Sequence, residues 1–293
     1  MKFRRLALIG CGLMGGSFAL ALRKADLVTH VAGFSASPQT RSQALALGVI
    51  DSDCSSAAEA ATGADLVLVA VPVRATLETF QNIDPVLSAD CLLMDVGSTK
   101  CDVVAAARTA LVRSLKCLVP AHPVAGKEVS GIEHADTDLY HQRQVILTPL
   151  PETPGPLLHA ARRLWEALGS RVLLLSPEDH DASFAAVSHL PHLAAFAMVN
   201  AVARQPQGER HLAMAGPGFR DFSRIAASAP EVWRDILLAN REEVLRQSQL
   251  MRQCLGELEN AMARSDSQAL HALITEASRT RGRWRLGGAD SDV

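Results

Sequence analysis

The chain has 293 residues, 48% of them hydrophobic and 20% charged, which supports one large core or two ordinary ones and excludes a disordered chain. With 29 basic and 31 acidic side chains the formal net charge is −2, so the concentrated basic face that nucleic-acid binding needs is not expected. The six cysteines (Cys11, Cys54, Cys91, Cys101, Cys117 and Cys254) show no C-x-x-C pair and no metal-ligand spacing, so neither a disulfide framework nor a metal site is expected.

Short apolar runs alternate with helical patterns from the start. Residues 5–9 (RLALI), 30–34 (HVAGF), 65–71 (DLVLVAV) and 91–96 (CLLMDV) read as strands. A weaker fifth strand is expected at 115–120 and a sixth at 144–149. Continuous apolar runs of this kind indicate strands buried on both faces of a parallel sheet. The segments between them, such as 17–24 and 99–112, have helical spacing, so the fold class is α/β, a doubly wound Rossmann-type parallel sheet. One more helix (157–168) and one more strand (171–175) close this first domain, residues 1–175. After Pro177 the texture changes to long alanine- and leucine-rich helices at about 178–203, 230–265 and 268–281. Residues 176–293 are therefore expected to form an all-α domain.

The first strand runs into GCGLMGGS (residues 10–17), which opens a helix. A strand before and a helix after turn a bare G-x-G-x-x-G into a specific dinucleotide signal. Gly10 permits the tight turn, Gly12 lets backbone approach a pyrophosphate, and Gly15 allows close helix–strand packing. Leu13 and Met14 offer amides at the helix start, and Val71 and Pro72 end the third strand beside them. After the second strand no Asp or Glu stands ready for the ribose of NAD; Ser35, Ser37 and Arg41 stand there instead, which favours NADP over NAD.

Three further segments concentrate polar residues: 95–100 (DVGSTK) and 120–128 (PAHPVAGKE) follow strands, and His180, Asp181 and 188–192 (SHLPH) share the first long helix. The turn at 10–17, the segments 95–100 and 122–126 (HPVAG) with Ser130 and Gly131, 188–192, and 219–226 (FRDFSRIA) together resemble the prephenate/arogenate dehydrogenase family of tyrosine biosynthesis. The resemblance runs in the family's order over roughly residues 6–245.

The resemblance implies NAD(P)-dependent oxidative decarboxylation of prephenate or arogenate. It makes His122 the base for the ring 4-hydroxyl and Ser98 the hydroxyl that orients it, and it makes Arg224 the residue that holds the ring carboxylate. Neutral imidazole suits the first role and a planar guanidinium the last. If 219–226 is helical, Arg220 lies one turn before Arg224 on the same face. Ser188 and His192 also share a face and can reach the substrate side chain, with His189 beside them. Asp181 is expected to orient Arg224 or Arg220, and Glu128 to serve similarly. Bland roles compete for several of these. Pro191 frees the carbonyl of Val187, which a nearby histidine can satisfy, and Arg220 is equally a solvated charge. Lys100 and Lys127 are expected in solvent or near phosphate.

A β-hydroxyacid-type dehydrogenase, the nearest rival, takes its general acid from a lysine on the helical domain, and this chain has no lysine after Lys127. A cofactor-sensing regulator without chemistry would not need His122 and Ser98 together. Apolar positions in excess (Val232, Ile236, Leu237, Val244, Leu245, Leu250, Met251, Leu255 and Leu258) suggest a homodimer through the helical domain, as the resemblance also implies. The basic start ends in an apolar run too short for a signal peptide, and no stretch of about 18 apolar, uncharged residues is seen. No membrane span and a cytoplasmic location are expected.

Overall fold

The computed structural model describes residues 2–127 and 129–284. Five parallel strands form the main sheet: β1 (Phe3–Ile9), β2 (Val28–Phe34), β3 (Ser52–Asp53), β4 (Leu66–Val69) and β5 (Leu92–Asp95), in the order β3-β2-β1-β4-β5. Helices α1 (Leu13–Lys24), α2 (Pro38–Ala46), α3 (Ala57–Ala61), α4 (Thr76–Ile83) and α5 (Cys101–Ala110) connect or follow these strands. Alternation along the strands divides the core into two layers. Leu6, Leu8, Leu66, Leu68 and Met94 pack on one face with Phe18, Leu22 and Trp165. Ala7, Ile9, Val67, Val69 and Leu93 pack on the other with Phe80, Val103 and Ala107. Each fully buried Leu or Phe contributes about 1.5–3 kcal/mol of transfer free energy, and both faces are covered, which explains the uninterrupted apolar runs.

The expected fifth strand is corrected. Residues Leu115–Cys117 form a 3₁₀ turn, and only Leu118 bridges to Leu93. Val119 still donates to the Leu93 carbonyl at 2.8 Å. Pro120 has no N–H with which to continue the ladder, so the chain leaves the main sheet there. It enters a second sheet of β6 (Ala121–Pro123), β7 (Gln144–Leu147) and β8 (Arg171–Leu174), with β6 antiparallel and β8 parallel to β7. Helix α6 (Gly155–Ala167) precedes β8. Tyr140 ties the two parts together: its ring packs with Phe18 and Trp165, and its hydroxyl donates to the Met14 carbonyl at 2.7 Å.

After β8 the chain is helical: α7 (Pro177–Phe184), a π-helical turn at Ala185–His189, α8 (Leu190–Ala203), α9 (Gly208–Ala213), α10 (Pro217–Ser223), α11 (Pro230–Ala239), α12 (Arg241–Ala263) and α13 (Ser267–Arg283). The run Pro177–Ala203 has a window of mean hydropathy 1.4, long and apolar enough by those two measures to cross a membrane, which corrects the expectation of no such stretch. It also carries buried His180, Asp181 and His189, which a lipid-facing helix would not. The single helix expected over 230–265 is broken at Asn240, whose φ of −105° and ψ of 32° end α11. Contacts divide the chain into two compact units, Met1–Arg241 and Glu242–Val293. The second unit holds all of α13 and all but the first residue of α12, with Leu245, Leu250, Leu255, Met262 and Ile274 exposed on them.

Candidate active site

The glycine turn is shaped by what its residues lack. Gly10 has a φ of 102°, and a Cβ there would sit 2.2 Å from the Ala70 carbonyl oxygen. A Cβ on Gly15 would sit 2.1 Å from the Gly10 oxygen, so α1 can lie against β1 only because both are glycine. Gly12 differs: a Cβ there would meet nothing within 4 Å, so its backbone faces open space. As the N-cap of α1 it supplies no side-chain acceptor, and the first turn holds no acidic residue. The amides of Leu13, Met14 and Gly15 are left for an anion at the positive end of the helix. These residues fit a dinucleotide pyrophosphate.

From this turn the carboxyl edge of the sheet leads to the histidine. Ile9 pairs with Val69 and Val69 with Asp95, while Asp95 Oδ1 accepts from the Ala121 amide at 3.0 Å. His122 thus lies beyond the β5 edge of the sheet, two strands over from the turn that follows β1 and on the same carboxyl side. Asp95 is held in turn by the ammonium of Lys100, which also donates to the Ala121 carbonyl at 2.9 Å. Both members of this pair are buried, so their charges neutralise each other where water cannot.

Behind His122 runs a chain of hydrogen bonds. His122 Nδ1 is 2.8 Å from His180 Nε2, and His180 Nδ1 is 2.7 Å from Asp181 Oδ1. The Asp181 carboxylate also accepts from the amides of Lys100 (2.8 Å) and Cys101 (2.9 Å), the N-cap and first residue of α5. Burial pushes the Asp181 pKa up, but the hydrogen bonds from His180, Cys101 and Lys100 outweigh it and hold the acid below its usual range. An ionised carboxylate only accepts, so His180 carries its proton on Nδ1 and offers the Nε2 lone pair to His122. His122 therefore donates from Nδ1, and its own lone pair stands on Nε2, at the opposite edge of the ring. Burial, then His180, Lys100 and His189, push the His122 pKa well below 6.5, so the ring is neutral at neutral pH. His180 stacks on Phe184 with centroids 4.5 Å apart, and Phe184 also touches His122 at 4.6 Å, which fixes both ring planes.

A second cluster lies on α8 and α11. His192 Nδ1 donates to the Ser188 carbonyl at 2.9 Å, and its ring stacks 3.4 Å from that of Trp233. Burial chiefly lowers the His192 pKa, the Ser188 carbonyl raises it, and the nearby positive charge of Arg224 lowers it again. Between the clusters, Asn240 Nδ2 donates to the Asp181 carbonyl at 2.7 Å and lies 3.1 Å from His189 Nδ1.

Two family models match successive stretches: "Prephenate dehydrogenase, nucleotide-binding domain" over residues 18–174 and "Prephenate dehydrogenase, dimerization domain" over 176–276. The chain belongs to the prephenate dehydrogenase family. It is 34% identical over 281 residues to a cyclohexadienyl dehydrogenase of Zymomonas mobilis, covering 95% of each chain. It is 35% identical to a prephenate dehydrogenase of Bacillus subtilis, over 82% of this chain and 65% of that one. Among solved structures, a prephenate dehydrogenase from A. aeolicus in complex with hydroxyphenyl propionate and NAD+ superposes with a TM-score of 0.90 at 35% identity, covering 96% of this chain and 98% of that one. A Synechocystis arogenate dehydrogenase superposes with a TM-score of 0.82 at 27% identity, covering 96% of this chain and all of the other. As a member of this family the chain is an NAD(P)-dependent oxidoreductase.

Against the family's expected site, the structure redistributes several residues. Asp181 is corrected: its side-chain oxygens serve His180 and the start of α5, so it backs the histidine. Lys100 is likewise corrected from a solvated cation to a fully buried one. Lys127 is exposed and pairs with Asp136 at 2.9 Å. Arg220 is not drawn into either cluster; its side chain is 75% exposed and pairs with its own neighbour Asp221. Its expected face is shared only loosely with Arg224, because α10 ends at Ser223 and Arg224 opens a 3₁₀ turn. Glu128 lies outside the described residues. Ser98 is half-buried on the loop between β5 and α5, its backbone acting on His189, whose Nε2 is buried without a full hydrogen bond. Val71 abuts Gly10, its amide 3.2 Å from the position of an added Cβ, and Pro72 follows it on the surface.

Three contributors were not foreseen. His180 was seen only as a polar neighbour of Asp181, although two polar residues on an apolar helix hint at a buried pair. Asn240 was hidden inside an apparent helix, and its weak helical propensity was the available signal. Trp233 gave no signal beyond its size.

Proposed function

We propose that this chain is a prephenate dehydrogenase, oxidising and decarboxylating prephenate to 4-hydroxyphenylpyruvate. The single observation that carries this reading is the chain Asp181–His180–His122, which leaves a neutral imidazole with its lone pair on Nε2 on the same carboxyl side of the fold as a dinucleotide turn. His122 takes the proton of the ring 4-hydroxyl, and Ser98 hydrogen-bonds the same oxygen. As the O–H bond breaks, the C4–O bond gains double-bond character and the C4 hydrogen leaves with its electron pair. The nicotinamide ring, when bound, accepts that hydride. The bond to the ring carboxylate then breaks, carbon dioxide leaves, and its electron pair completes the aromatic ring as a phenolate. The proton held at His122 returns to that oxygen. While the proton rests on His122, the positive charge is shared along His180 toward the Asp181 carboxylate.

Arg224 holds the ring carboxylate, and His192 with Ser188 meets the side chain of the substrate. We propose residue 175 as the functional division, cofactor before it and substrate and pairing after it; the two family models meeting at residues 174 and 176 support this. The exposed apolar side chains of α12 and α13 are assigned to a homodimer, in line with the name of the second family model. A cytoplasmic location follows from the biosynthetic role.

Of the two dinucleotides we infer NAD, because Arg41, on which the expectation of NADP rested, is already paired with Asp53 at 2.6 Å. Arogenate is the second reading for the substrate, favoured by the likeness to a cyclohexadienyl and an arogenate dehydrogenase. Initial rates of reduced-cofactor formation with prephenate and with arogenate test both. Turnover of prephenate supports the first reading, turnover of arogenate alone replaces it with the second, and turnover of neither removes both.

A further inference from the structure

We propose that Asp53 is the residue that makes this enzyme discriminate against NADP, by neutralising and covering Arg41 at the place where a 2′-phosphate would sit. The inference rests on the reading of residues 10–17 as a dinucleotide turn and adds a specificity determinant to it.

In a sheet of this kind the adenosine ribose lies beyond the end of β2, where an acid from β2 itself commonly binds the hydroxyls of NAD. Here β2 ends in Phe34 and Ser35, and the acid comes from the neighbouring strand. Asp53 on β3 is in register with Gly33, so its carboxylate emerges level with the end of β2. The position is close to the glycine turn: Cys11 reaches the Phe34 carbonyl at 3.6 Å, and its thiol, raised chiefly by burial, is raised further by Asp53 and lowered by Arg41.

Arg41 is the cation that could receive a phosphate, and two of its five N–H donors, with its charge, are already engaged. Nε donates to Asp53 Oδ1 at 2.6 Å and one terminal nitrogen to the Ser35 carbonyl at 2.6 Å, while the guanidinium lies 5.8 Å over the Phe34 ring. Ser37, the other expected phosphate ligand, caps α2 by accepting from the Thr40 amide at 3.2 Å. Exposure decides the sign. The side chain of Arg41 is 16% exposed and that of Asp53 38%, so the anion is the more accessible member of the pair. A carboxylate there accepts from ribose hydroxyls and repels a dianionic phosphate.

Equilibrium binding of NADH and NADPH, followed by their own fluorescence without substrate, tests this. The wild-type chain is expected to bind NADH at least about tenfold more tightly, the scale of one charged hydrogen bond gained or lost. Asp53→Asn should close or reverse that gap by tightening NADPH, Asp53→Ser should do the same, and Arg41→Ala added to either should remove the gain. Equal or tighter NADPH binding by the wild type overturns the proposal, as does a ratio unmoved by both Asp53 variants. Binding of neither cofactor brings down the dinucleotide reading itself, and this inference with it.

Discussion

The glycine turn and the histidine chain serve one reaction through opposite uses of the side chain. At residues 10–15 the geometry depends on absent atoms: two added Cβ atoms would each overlap backbone oxygen, while a third position opens onto empty space. At His122 it depends on present ones, since each ring nitrogen of His180 and each oxygen of Asp181 has a named partner. The first region is injured by addition and the second by subtraction.

The largest expected effect is on the subtractive side. His122→Ala should lower kcat by about 10²–10⁴-fold with KM little changed, the range for losing a general base. Steady-state rates over a substrate series measure it, and an unchanged kcat would take the base away from His122. On the additive side, the two kinds of glycine should separate. Gly10→Ala should cost about 1–3 kcal/mol of folding stability from its backbone conformation alone, before the overlap with Ala70 is counted. Gly12→Ala should leave the melting temperature near wild type and weaken cofactor binding. Thermal melts beside cofactor titrations read both, and a Gly12 variant that binds normally breaks the contrast.

Acid should act on the histidines together. His122, His180, His189 and His192 are all held below 6.5 in the folded chain, chiefly by burial. The unfolded chain therefore takes up protons first, so stability is full above pH 6.5 and is lost as pH falls from 6.5 toward 4. His189, lowered to about 4, accounts for a loss on the order of 3 kcal/mol by itself. Denaturant midpoints across that window check the sign, and a stability that rises with acid contradicts it. The smallest contrast separates two arginines. Arg224→Ala should raise KM by about tenfold or more through the lost carboxylate contact. Arg220→Ala should change KM less than about twofold, since exposed pairs contribute little. Equal effects would place Arg220 in the site after all.

How much of this could be read from the residues follows the same division. The turn was legible because its signal is eight consecutive residues between a strand and a helix. The parallel sheet was legible because burial on both faces writes an unbroken apolar run. The strand that carries His122 was misplaced by a few positions, because Pro120 ends one ladder and the next begins at Ala121 in a different sheet. The support of His122 was illegible for a stronger reason: His180 is 58 residues away in the chain, and nothing local to either histidine requires the other. Asp181 was noticed but given to an arginine, since spacing along a helix does not reveal that its carboxylate meets the start of α5. Arg41 misled in the same way, because Asp53 neutralises it from a strand only two residues long.

The carboxylate of Asp181 touches two things at once, the amides that open α5 and the imidazole behind His122. Seating α7 against α5 and selecting the reactive tautomer are consequently the same event. A chain in which that contact has not closed would carry His122 with its proton free to sit on either nitrogen, and so would idle as a catalyst even with its cofactor loaded.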